Sequence, residues 1–459
     1  MKKVLYPVTS LLTGFFVLSL AAALPRAATA GGMKTYRNSA RAAASRHKHH
    51  GFKAHSQILI RPLDTVNFSD GINYDTTLKF STGIGSGAFH YPGDDRNTVY
   101  TISDRGVNVK CDDDVDIIGA DICADGKIFP IANYSPSIFK LQRHGHHGWK
   151  ITEVIRLKDA TGKQISGLPN PLTSMTTETA YDKQGNTIGL DANGLDTEAL
   201  LRLSDGTFWV SEEYAPSLVH VSAAGEVLER LVPVGVAGEL NGANYPVVGV
   251  LPAILSKRKL NRGIESIAVS PDERYIYFIM QSPLANPNKK TYKKSRNVRL
   301  FKMDRQNEEI IGEYVYVIDT PETFLADSTS KQSKVKVSEM VAYGNDKLIV
   351  LERINKTTKL YRINLDGATN ILYSEWDDTV TSPSLEQVTD LASVAIAPIA
   401  KEIALDSAVD LPPDALPSKV EGVAILDKHE LFLINDNDFG IEGANTRLVD
   451  LKIGRRFFK

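Results

Sequence analysis

The chain has 459 residues, of which 24% are charged and 42% are hydrophobic, and its 53 basic and 55 acidic side chains give a formal net charge of −2. This near balance gives no reason to expect nucleic acid or a membrane surface as the partner. Charge alone does not identify a substrate, so the chemistry must be sought in the pattern of residues along the chain.

The first 30 residues have the pattern of a secretory signal peptide. Lys2 and Lys3 form a positive start, residues 11–23 are apolar, and residues 28–30 offer a small-residue cleavage site. The alternative is an uncleaved membrane anchor, but the apolar stretch is shorter than a comfortable membrane span. We therefore expect a periplasmic or secreted protein that is not inserted in a membrane after signal cleavage.

Residues 31–56 are rich in Ala, Gly, Arg, His and Ser and lack apolar periodicity, which predicts a flexible leader. From Gln57 to Lys459 the chain reads as one all-β domain, with short apolar or alternating runs separated by Asp, Gly, Asn and Pro. No long helical pattern interrupts these runs.

Cys111 and Cys123 are the two cysteines of the chain, and export to an oxidising compartment favours a disulfide between them. The bond would close the acid-rich residues 112–122 and staple a hairpin insertion. The spacing of these acids does not match an EF-hand loop, so we interpret them as a solvated acidic loop.

Four similar segments recur along the chain, and each contains one glutamate followed by apolar residues. They are Asp-Thr-Glu-Ala-Leu-Leu at 196–201, Gly-Ile-Glu-Ser-Ile-Ala at 263–268, Val-Ser-Glu-Met-Val-Ala at 337–342 and Lys-Val-Glu-Gly-Val-Ala at 419–424. A turn and a second apolar run, which ends in polar residues, follow each segment. A repeat of short strands and turns is typical of a β-propeller.

A more divergent unit at residues 83–106 brings the number of repeats to five, and further strands give each unit the four that a propeller blade needs. The last unit lacks a fourth strand, which residues 57–63 can supply by pairing the two chain termini and removing exposed sheet edges. Residues 158–193 or 376–418 leave room for another blade. The prediction is a propeller of five or six four-stranded blades, closed by the N- and C-terminal strands.

Antiparallel pairing places the start of one strand of a hairpin beside the end of the other. Five pairs of polar residues should therefore gather at one rim of a central channel. The pairs are Ser86 with Asp104, Glu198 with Glu212, Glu265 with Gln281, Glu339 with Glu352, and Glu421 with Asp436. Converging carboxylates repel one another, and calcium, which takes many oxygen ligands, is the simplest offset. Alternatively, each glutamate bonds backbone amides of a neighbouring blade or pairs with Arg105, Arg262 or Arg353.

These motifs resemble the phytase-like family, which is also described by an esterase-like activity of phytase. The resemblance spans residues 57–451 and rests on Ser103-Asp104-Arg105-Gly106, Glu198-Ala199-Leu200, Ser211-Glu212-Glu213-Tyr214, the segment at 263–268 and Val420-Glu421-Gly422-Val423-Ala424. It implies hydrolysis of phosphoesters or other esters. It marks as the acidic set Asp104, Glu198, Glu212, Glu265, Glu339, Glu352, Glu421 and Asp436. The chain departs from this pattern at Ser86 and Gln281, so the ring of acids is not symmetric.

The expected chemistry is metal-assisted hydrolysis. Calcium would be bound by Glu198, Glu265, Glu339 and Glu421. The catalytic acids would be Asp104, Glu212, Glu352 and Asp436, while Arg105 and Arg353 would bind an anionic substrate and Arg299 would pair within its own blade. Two alternatives are a calcium-dependent lactonase and a calcium-stabilised binding module without turnover. The expected partner is a small anionic or ester substrate, and the chain is expected to be a monomer.

Overall fold

Short runs rich in β-branched, aromatic and leucine residues form the strands of the protein, and Gly, Asn, Asp and Pro mark the turns between them. The computed structural model describes residues 51–459. The predicted signal peptide and residues 31–50 of the predicted leader lie outside the described residues. Residues 53–56, also predicted as leader, belong instead to the first strand. Within the described part, no helix combines the length and the apolar character needed to cross a membrane.

Strands account for almost all of the regular structure. In chain order they are β1 (Lys53–Leu59), β2 (Pro62–Ser69), β3 (Asp75–Ser81), β4 (Gly87–Phe89), β5 (Thr98–Ile102), β6 (Val109–Lys110), β7 (Lys127–Ile128), β8 (Ser137–Arg143), β9 (Trp149–Arg156), β10 (Ala180–Tyr181), β11 (Thr187–Ile188), β12 (Thr197–Arg202), β13 (Phe208–Glu212), β14 (Ser217–Val221), β15 (Val227–Pro233), β16 (Val247–Leu251), β17 (Ile264–Val269), β18 (Tyr275–Met280), β19 (Asn297–Asp304), β20 (Glu309–Val317), β21 (Lys336–Gly344), β22 (Lys347–Arg353), β23 (Thr358–Asn364), β24 (Ala400–Asp406), β25 (Val420–Asp427), β26 (Glu430–Asn435) and β27 (Thr446–Lys452).

The helices are short. The α-helices are α1 (Asp114–Ile117), α2 (Lys289–Tyr292) and α3 (Ser407–Asp410), and 3-10 turns cover Cys111–Asp113, Gly145–His147, Ala237–Leu240, Ala253–Lys257, Pro321–Thr323, Gln332–Lys334, Glu375–Asp377, Leu385–Gln387, Leu391–Val394 and Asp438–Gly440. The predicted all-β class is therefore confirmed.

Five sheets dominate residues 51–459. Sheet I has the order β4-β5-β8-β9, sheet II β12-β13-β14-β15-β16, sheet III β17-β18-β19-β20, sheet IV β21-β22-β23-β24 and sheet V β25-β26-β27-β1. Neighbouring strands of these sheets pair antiparallel, except that β16 joins β15 in parallel. Two smaller sheets, β2-β3 and β6-β7-β10-β11, lie outside them. Each large sheet begins with one of the repeated segments or with the divergent first unit, so the repeats correspond to sheets.

The strands nearest the two ends of the described chain lie side by side. β1 pairs antiparallel with β27, and Lys53 stands opposite Lys452. The sequence placed the pairing strand at residues 57–63, four residues later than it starts in the structure. Pro62 has no N–H to donate to a sheet, and it starts β2 instead. Leu59 is therefore the last residue that pairs with β27.

The first strands of the five sheets, called the inner strands below, contact one another. β4, β12, β17, β21 and β25 touch in that order, and β25 also contacts β4. Glycine permits the closest approaches, because a Cβ atom at Gly87 would lie 2.7 Å from the Cα of Ala199, and one at Gly422 would lie 2.9 Å from the Cβ of Ala88. The repeated segments thus lie next to one another in space.

Four inner strands carry a β-bulge close to the repeated glutamate. The regular register breaks between Thr197 and Leu200, between Ile264 and Ser266, between Val337 and Glu339, and between Val420 and Gly422. A bulge changes the direction in which its side chains project. Glu198, Glu265 and Glu421 lie in their bulges, whereas in sheet IV the bulge holds Ser338. Glu339 is therefore one residue out of step with the other three glutamates.

A disulfide joins Cys111 and Cys123, which confirms the predicted pairing. It closes part of an insertion between β5 and β8, and β7 of this insertion pairs in parallel with β10 from a second insertion, between β9 and β12. Within the acid-rich loop, Asp114 is buried and accepts hydrogen bonds from the backbone N–H groups of Ile122 and Cys123. The interpretation as a solvated loop was therefore wrong for this acid.

Candidate functional site

Glu198 stands out among the charged side chains of the inner strands. It is 9% exposed and makes no hydrogen bond or ion pair with any described residue. Burial, together with the negative charges of Glu213 and Glu265, holds the pKa of Glu198 well above its usual range. A buried carboxylate is costly unless a proton or a cation offsets its charge. The carboxylate of Glu198 is therefore the strongest candidate in this region to bind a cation.

Asp196, Glu198 and Glu213 bring three carboxylates together, and we call them the carboxylate cluster. Each offers one oxygen atom, and these three atoms lie within 4.8 Å of one another. The backbone N–H of Glu213 donates to the carbonyl oxygen of Asp196 over 3.0 Å, which holds the end of β13 beside the start of β12. Hairpin geometry thus assembles the cluster from residues that are close in sequence.

Arg105 borders the carboxylate cluster. Its guanidinium lies 4.9 Å from the ring centroids of both Phe129 and Tyr214, and it forms ion pairs with Glu178 at 2.8 Å and Asp196 at 3.3 Å. Aromatic faces and carboxylates both favour a guanidinium. Arg105 was predicted to bind the substrate, but the structure shows its side chain already engaged by protein groups.

A chain of hydrogen bonds leads from the cluster to the next two sheets. Gln281 donates through Nε2 to Oε1 of Glu213 over 2.8 Å and also to Oε2 of Glu265. Ser338 donates through its hydroxyl to Oε1 of Glu265 over 3.3 Å. Burial and the charge of Glu213 raise the pKa of Glu265 to about 7. The predicted proximity of Glu265 and Gln281 is therefore confirmed.

Arg353 extends this chain to sheet V. Its Nε donates to the hydroxyl oxygen of Ser338 over 2.9 Å, its Nη1 donates to the carbonyl oxygen of Ile354, and its Nη2 forms an ion pair with Glu421. Arg353 was predicted to bind the substrate and Glu421 to bind a metal. The structure instead places the two side chains in contact, which matches the alternative that the sequence left open.

Glu212 was predicted at the rim of the channel, but its side chain lies on the opposite face of β13 from Glu213. It is fully buried, accepts the backbone N–H groups of Tyr214 and Ala215 at 2.9 and 2.8 Å, and pairs with Arg230 at 2.9 Å. Side chains alternate between the two faces of a strand, so a shift of one residue reverses the direction. Glu213, which the prediction passed over, takes the central position.

The same shift applies in sheet IV. Glu352, predicted as a catalytic acid, is fully buried and accepts hydrogen bonds from the hydroxyl of Tyr316 at 2.6 Å and the N–H of Asp319 at 2.9 Å. The ammonium group of Lys401 also forms an ion pair with the carboxylate of Glu352 at 2.5 Å. These partners keep the carboxylate of Glu352 between strands and away from the carboxylate cluster.

One backbone hydrogen bond explains which residues occupy the central position. Glu213, Gln281 and Asp436 each donate their N–H to the carbonyl oxygen of the residue just before or at the start of the inner strand, in each case over 3.0 Å. The equivalent of Glu213 in sheet III is therefore Gln281, and in sheet V it is Asp436. The prediction had chosen this position in sheets III and V. In sheets II and IV it had chosen the preceding residue, since Glu212 pairs with Thr197 and Glu352 with Val337.

Glu339 was predicted as a metal ligand, but its carboxylate forms hydrogen bonds that connect neighbouring inner strands. Its carboxylate accepts hydrogen bonds from the hydroxyl of Ser266 at 2.5 Å, the backbone N–H of Ala88 at 3.0 Å and the N–H of Met340 at 3.0 Å. It thereby links β21 to β17 and β4. Burial raises the pKa of Glu339 to about 8. This arrangement follows from the bulge at Ser338, which turns Glu339 away from the position of Glu265.

Asp104 and Asp436 influence each other across the site. Burial, Asp436 and Asp196 hold the pKa of Asp104 well above its usual range. Burial also raises the pKa of Asp436, although Lys419 and Arg353 oppose this effect. Both carboxylates accept a local backbone hydrogen bond of 2.9 Å. The two predicted acids therefore belong to the same electrostatic group as the carboxylate cluster.

Two lysines near the site were not predicted. Lys127 is 7% exposed, Lys336 is partly buried, and neither forms a hydrogen bond or ion pair through its ammonium group with any described residue. Burial lowers the pKa of both lysines, although Glu213 opposes that effect in each case. Lys336 directly precedes a repeated segment, which was a usable signal, whereas nothing in the sequence around Lys127 indicates its position.

Arg299 has no part in this site. It is fully buried in β19 and forms ion pairs with Glu313 of the same sheet at 2.5 Å and with Glu386 at 2.9 Å. This matches the expectation that Arg299 pairs within its own sheet.

The donor set of the carboxylate cluster fits a hard divalent cation. All three side chains offer oxygen, their candidate ligand atoms lie within 4.8 Å of one another, and the carboxylate of Glu198 has no partner in the described part of the chain. Calcium prefers several oxygen ligands in a flexible arrangement, whereas zinc sites are usually built from nitrogen and sulfur. The residues present therefore fit calcium.

Comparison with known proteins assigns a family. The family model described as "Phytase-like: Esterase-like activity of phytase" matches residues 84–439. A curated relative, an uncharacterised secreted protein of Arthroderma benhamiae, is 26% identical over 140 residues. The match covers 28% of this chain and 27% of that relative.

Solved structures of low similarity include a luciferin-regenerating enzyme, which is 11% identical with a TM-score of 0.32 and has 86% of this chain and 97% of its own chain covered. The calcium-binding protein regucalcin of Agrobacterium tumefaciens is 14% identical, with a TM-score of 0.32 and coverage of 83% and 96%. Virginiamycin B lyase of Staphylococcus aureus is 12% identical, with a TM-score of 0.30 and coverage of 87% and 99%. At these scores the similarities carry no argument about function.

Proposed function

Because the chain belongs to the phytase-like family, whose description names an esterase-like activity of phytase, we propose that it is an exported hydrolase of phosphoester or other ester bonds that works with calcium. The calcium would be held by Asp196, Glu198 and Glu213. One observation carries the proposal: Glu198 is 9% exposed, its carboxylate has no hydrogen-bond or ion-pair partner among residues 51–459, and one of its oxygen atoms lies within 4.8 Å of oxygen atoms of two further carboxylates.

The proposed ligand set revises the one that the repeats suggested. Glu198 is retained, while Asp196 and Glu213 replace Glu339 and Glu421 because their oxygen atoms lie within 4.8 Å of that of Glu198. Asp196 and Glu213 also form ion pairs with Arg105 and Arg262, at 3.3 and 3.6 Å. Glu265 remains close enough to raise the pKa of Glu198. It is linked to Glu213 through Gln281, so it lies beside the proposed calcium position without belonging to the cluster.

Calcium bound here would polarise an ester or phosphoryl oxygen and make a bound water more acidic. Glu265 is the group that we assign to proton transfer. Its pKa of about 7 suits a residue that takes up and returns a proton near neutral pH. Gln281 and Ser338 donate to its two oxygen atoms and so fix the orientation of the carboxylate. Asp104 and Asp436 would add to the negative field that draws a cation into the site.

We further propose that sheets I–V are the five blades of a closed propeller. The contacts of β4 with both β12 and β25 and the pairing of β1 with β27 support a ring that is closed by strands from both ends of the described chain. The carboxylate cluster would lie at one mouth of the central channel. The disulfide between Cys111 and Cys123 supports a periplasmic or secreted location. A small anionic or ester substrate and a monomeric state complete the proposal.

The decisive experiment is a hydrolysis assay of the purified protein on phosphomonoesters, phosphodiesters, phytate, carboxylic esters and lactones, with calcium and with a chelator. Turnover that needs calcium and disappears in Glu198→Gln would support the proposal and identify the bond that is cleaved. The matched control is Glu322→Gln, since Glu322 is exposed and outside the site. A lactone as the best substrate would favour the lactonase alternative. Calcium stabilisation without any turnover would favour a binding module.

A further inference from the structure

The cations around the carboxylate cluster are of two kinds. Arg105, Arg262 and Arg353 have carboxylate and carbonyl partners within the protein. The ammonium groups of Lys127 and Lys336 have no partner among residues 51–459, although the backbones of both lysines are placed in β7 and β21. An ammonium group carries three donors, and no described protein group accepts a hydrogen bond from the ammonium groups of these two lysines. The two lysines therefore lack acceptors that a ligand can supply.

Lys127 is held in position by two insertions. Its backbone N–H donates to the carbonyl oxygen of Thr179 over 3.0 Å, and β7 pairs in parallel with β10. Gly126 has a φ of +118°, and a Cβ atom there would lie 2.2 Å from the same carbonyl oxygen of Thr179, so this close approach needs glycine. The N–H of Cys111 donates to the carbonyl oxygen of Gly126 over 3.2 Å, next to the disulfide. The backbone that carries the Lys127 side chain is thus fixed by hydrogen bonds on both of its sides.

The backbone places Lys127 next to groups that border the cluster. Its N–H donates to the carbonyl oxygen of Thr179, and the residue before Thr179, Glu178, forms an ion pair with Arg105, which also pairs with Asp196. Burial lowers the pKa of Lys127 and the charges of Glu178, Asp196 and Glu213 oppose this, yet none of the three carboxylates forms an ion pair with it. Glu178 and Asp196 are instead bound by Arg105. Lys127 therefore lies in a negatively charged region, and its ammonium group donates no hydrogen bond to the described part of the protein. A calcium ion in the cluster would neutralise these carboxylates and leave the ammonium group as a free positive charge beside the metal.

We propose that Lys127, assisted by Lys336, binds an oxyanion of the ligand and thereby restricts the site to esters that carry a phosphate or carboxylate group. Lys336 suits the second role because the next residue, Val337, donates its N–H to the carbonyl oxygen of Gln281 over 3.0 Å, and the side chain of Gln281 binds Glu213 and the proposed proton-transfer residue Glu265. This inference rests on the proposed function, since it places the anion beside the cation held by Asp196, Glu198 and Glu213. It also replaces Arg105 and Arg353 as the groups that recognise the anion.

The test measures binding without turnover. Inorganic phosphate, sulfate and acetate are titrated calorimetrically into the wild-type protein and into Lys127→Gln, Lys127→Arg and Lys336→Gln, each with calcium and with a chelator. We expect Lys127→Gln to weaken the binding of the preferred anion at least tenfold, and Lys127→Arg to retain most of it because the positive charge is kept. Preference for phosphate over acetate, or the reverse, distinguishes the two kinds of anion. Lys150→Gln, at an exposed lysine of β9, is the matched control.

Calcium titrations of the same variants separate this inference from the proposed function. Removing the charge of Lys127 should leave calcium affinity unchanged or increase it, because a cation near the carboxylates is lost. A wild-type protein that binds no calcium contradicts the proposed function, whereas anion binding that depends on Lys127 still supports the anion site. Equal anion binding by wild type, Lys127→Gln and Lys336→Gln overturns the inference, and so does a wild type that binds none of the three anions. If Lys127→Gln does not fold, Lys336→Gln and Lys127→Arg still decide the outcome.

Discussion

Glu212 and Glu213 are neighbours in sequence, and we predict that their loss has opposite consequences. Glu212→Gln removes the charge that pairs with the fully buried Arg230. In the wild type, the two carboxylate oxygens of Glu212 accept hydrogen bonds from three backbone N–H groups and from the hydroxyl of Ser217, whereas glutamine has one acceptor oxygen. Breaking one side of a buried ion pair usually costs about 3–5 kcal/mol in the free energy of unfolding. We expect a loss of this size whether or not calcium is present.

Glu213→Gln should behave differently, because Glu213 adds to the repulsion within the carboxylate cluster. The ion pair that it would lose, with the partly exposed Arg262, is long at 3.6 Å and offsets this relief only in part. In a chelator the variant should be as stable as the wild type or slightly more stable. Calcium at about a hundred times its Kd should stabilise the wild type by about 2.7 kcal/mol. This increment should be lost in Glu213→Gln and retained in Glu212→Gln, provided that the latter is still folded.

The measurement is urea unfolding of the wild type and both variants at pH 7, with calcium and with a chelator. The midpoints give the two stabilities, and an unchanged slope shows that the folded and unfolded states are comparable. The reasoning fails if the two variants lose the same stability in the chelator. It also fails if Glu213→Gln keeps the full stabilisation by calcium.

Three further predictions concern the scaffold. Burial raises the pKa of Glu339 to about 8, so the folded protein holds a proton that the unfolded chain releases above about pH 4.5. The free energy of unfolding should therefore fall as the pH rises from about 4.5 to about 8. Urea unfolding at a series of pH values should show a weaker pH dependence for Glu339→Gln than for the wild type. Although burial raises the pKa of Asp319, Lys401 holds it well below its usual range, so Asp319→Asn should cost stability at pH 7. The cost should shrink as the pH falls below about 4, where the unfolded wild-type chain takes up a proton at this carboxyl and the folded protein does not. Gly422→Ala should lower the free energy of unfolding by about 1–3 kcal/mol through overpacking. Gly238→Ala, with no atom within 4 Å of its added Cβ, should change it little. Equal urea midpoints for the two variants would contradict this prediction.

The repeats predict the sheets well because a strand and its turn are specified locally. The spacing of the four glutamate segments indicates where β12, β17, β21 and β25 lie, and the hairpin rule brings Glu265 next to Gln281 as predicted. The same rule is sensitive to a shift of one residue, since alternation reverses the face. In Glu212-Glu213 either acid satisfies the spacing. The choice is made by the backbone bond from Glu213 to Asp196, which depends on a bulge that the sequence does not mark.

The parts of the site that lie outside the repeats could not be predicted for a different reason. Lys127 reaches the cluster because β7 pairs in parallel with β10, and the two strands are separated by β8, β9 and long connections. Two-residue strands carry no periodicity, and parallel pairing between insertions has no local signal. The inner strands therefore supply the carboxylates in a predictable pattern, while the insertions supply a cation that only the folded chain reveals. If the anion site exists as proposed, changes in these insertions should alter which anions bind and leave calcium binding by Asp196, Glu198 and Glu213 intact.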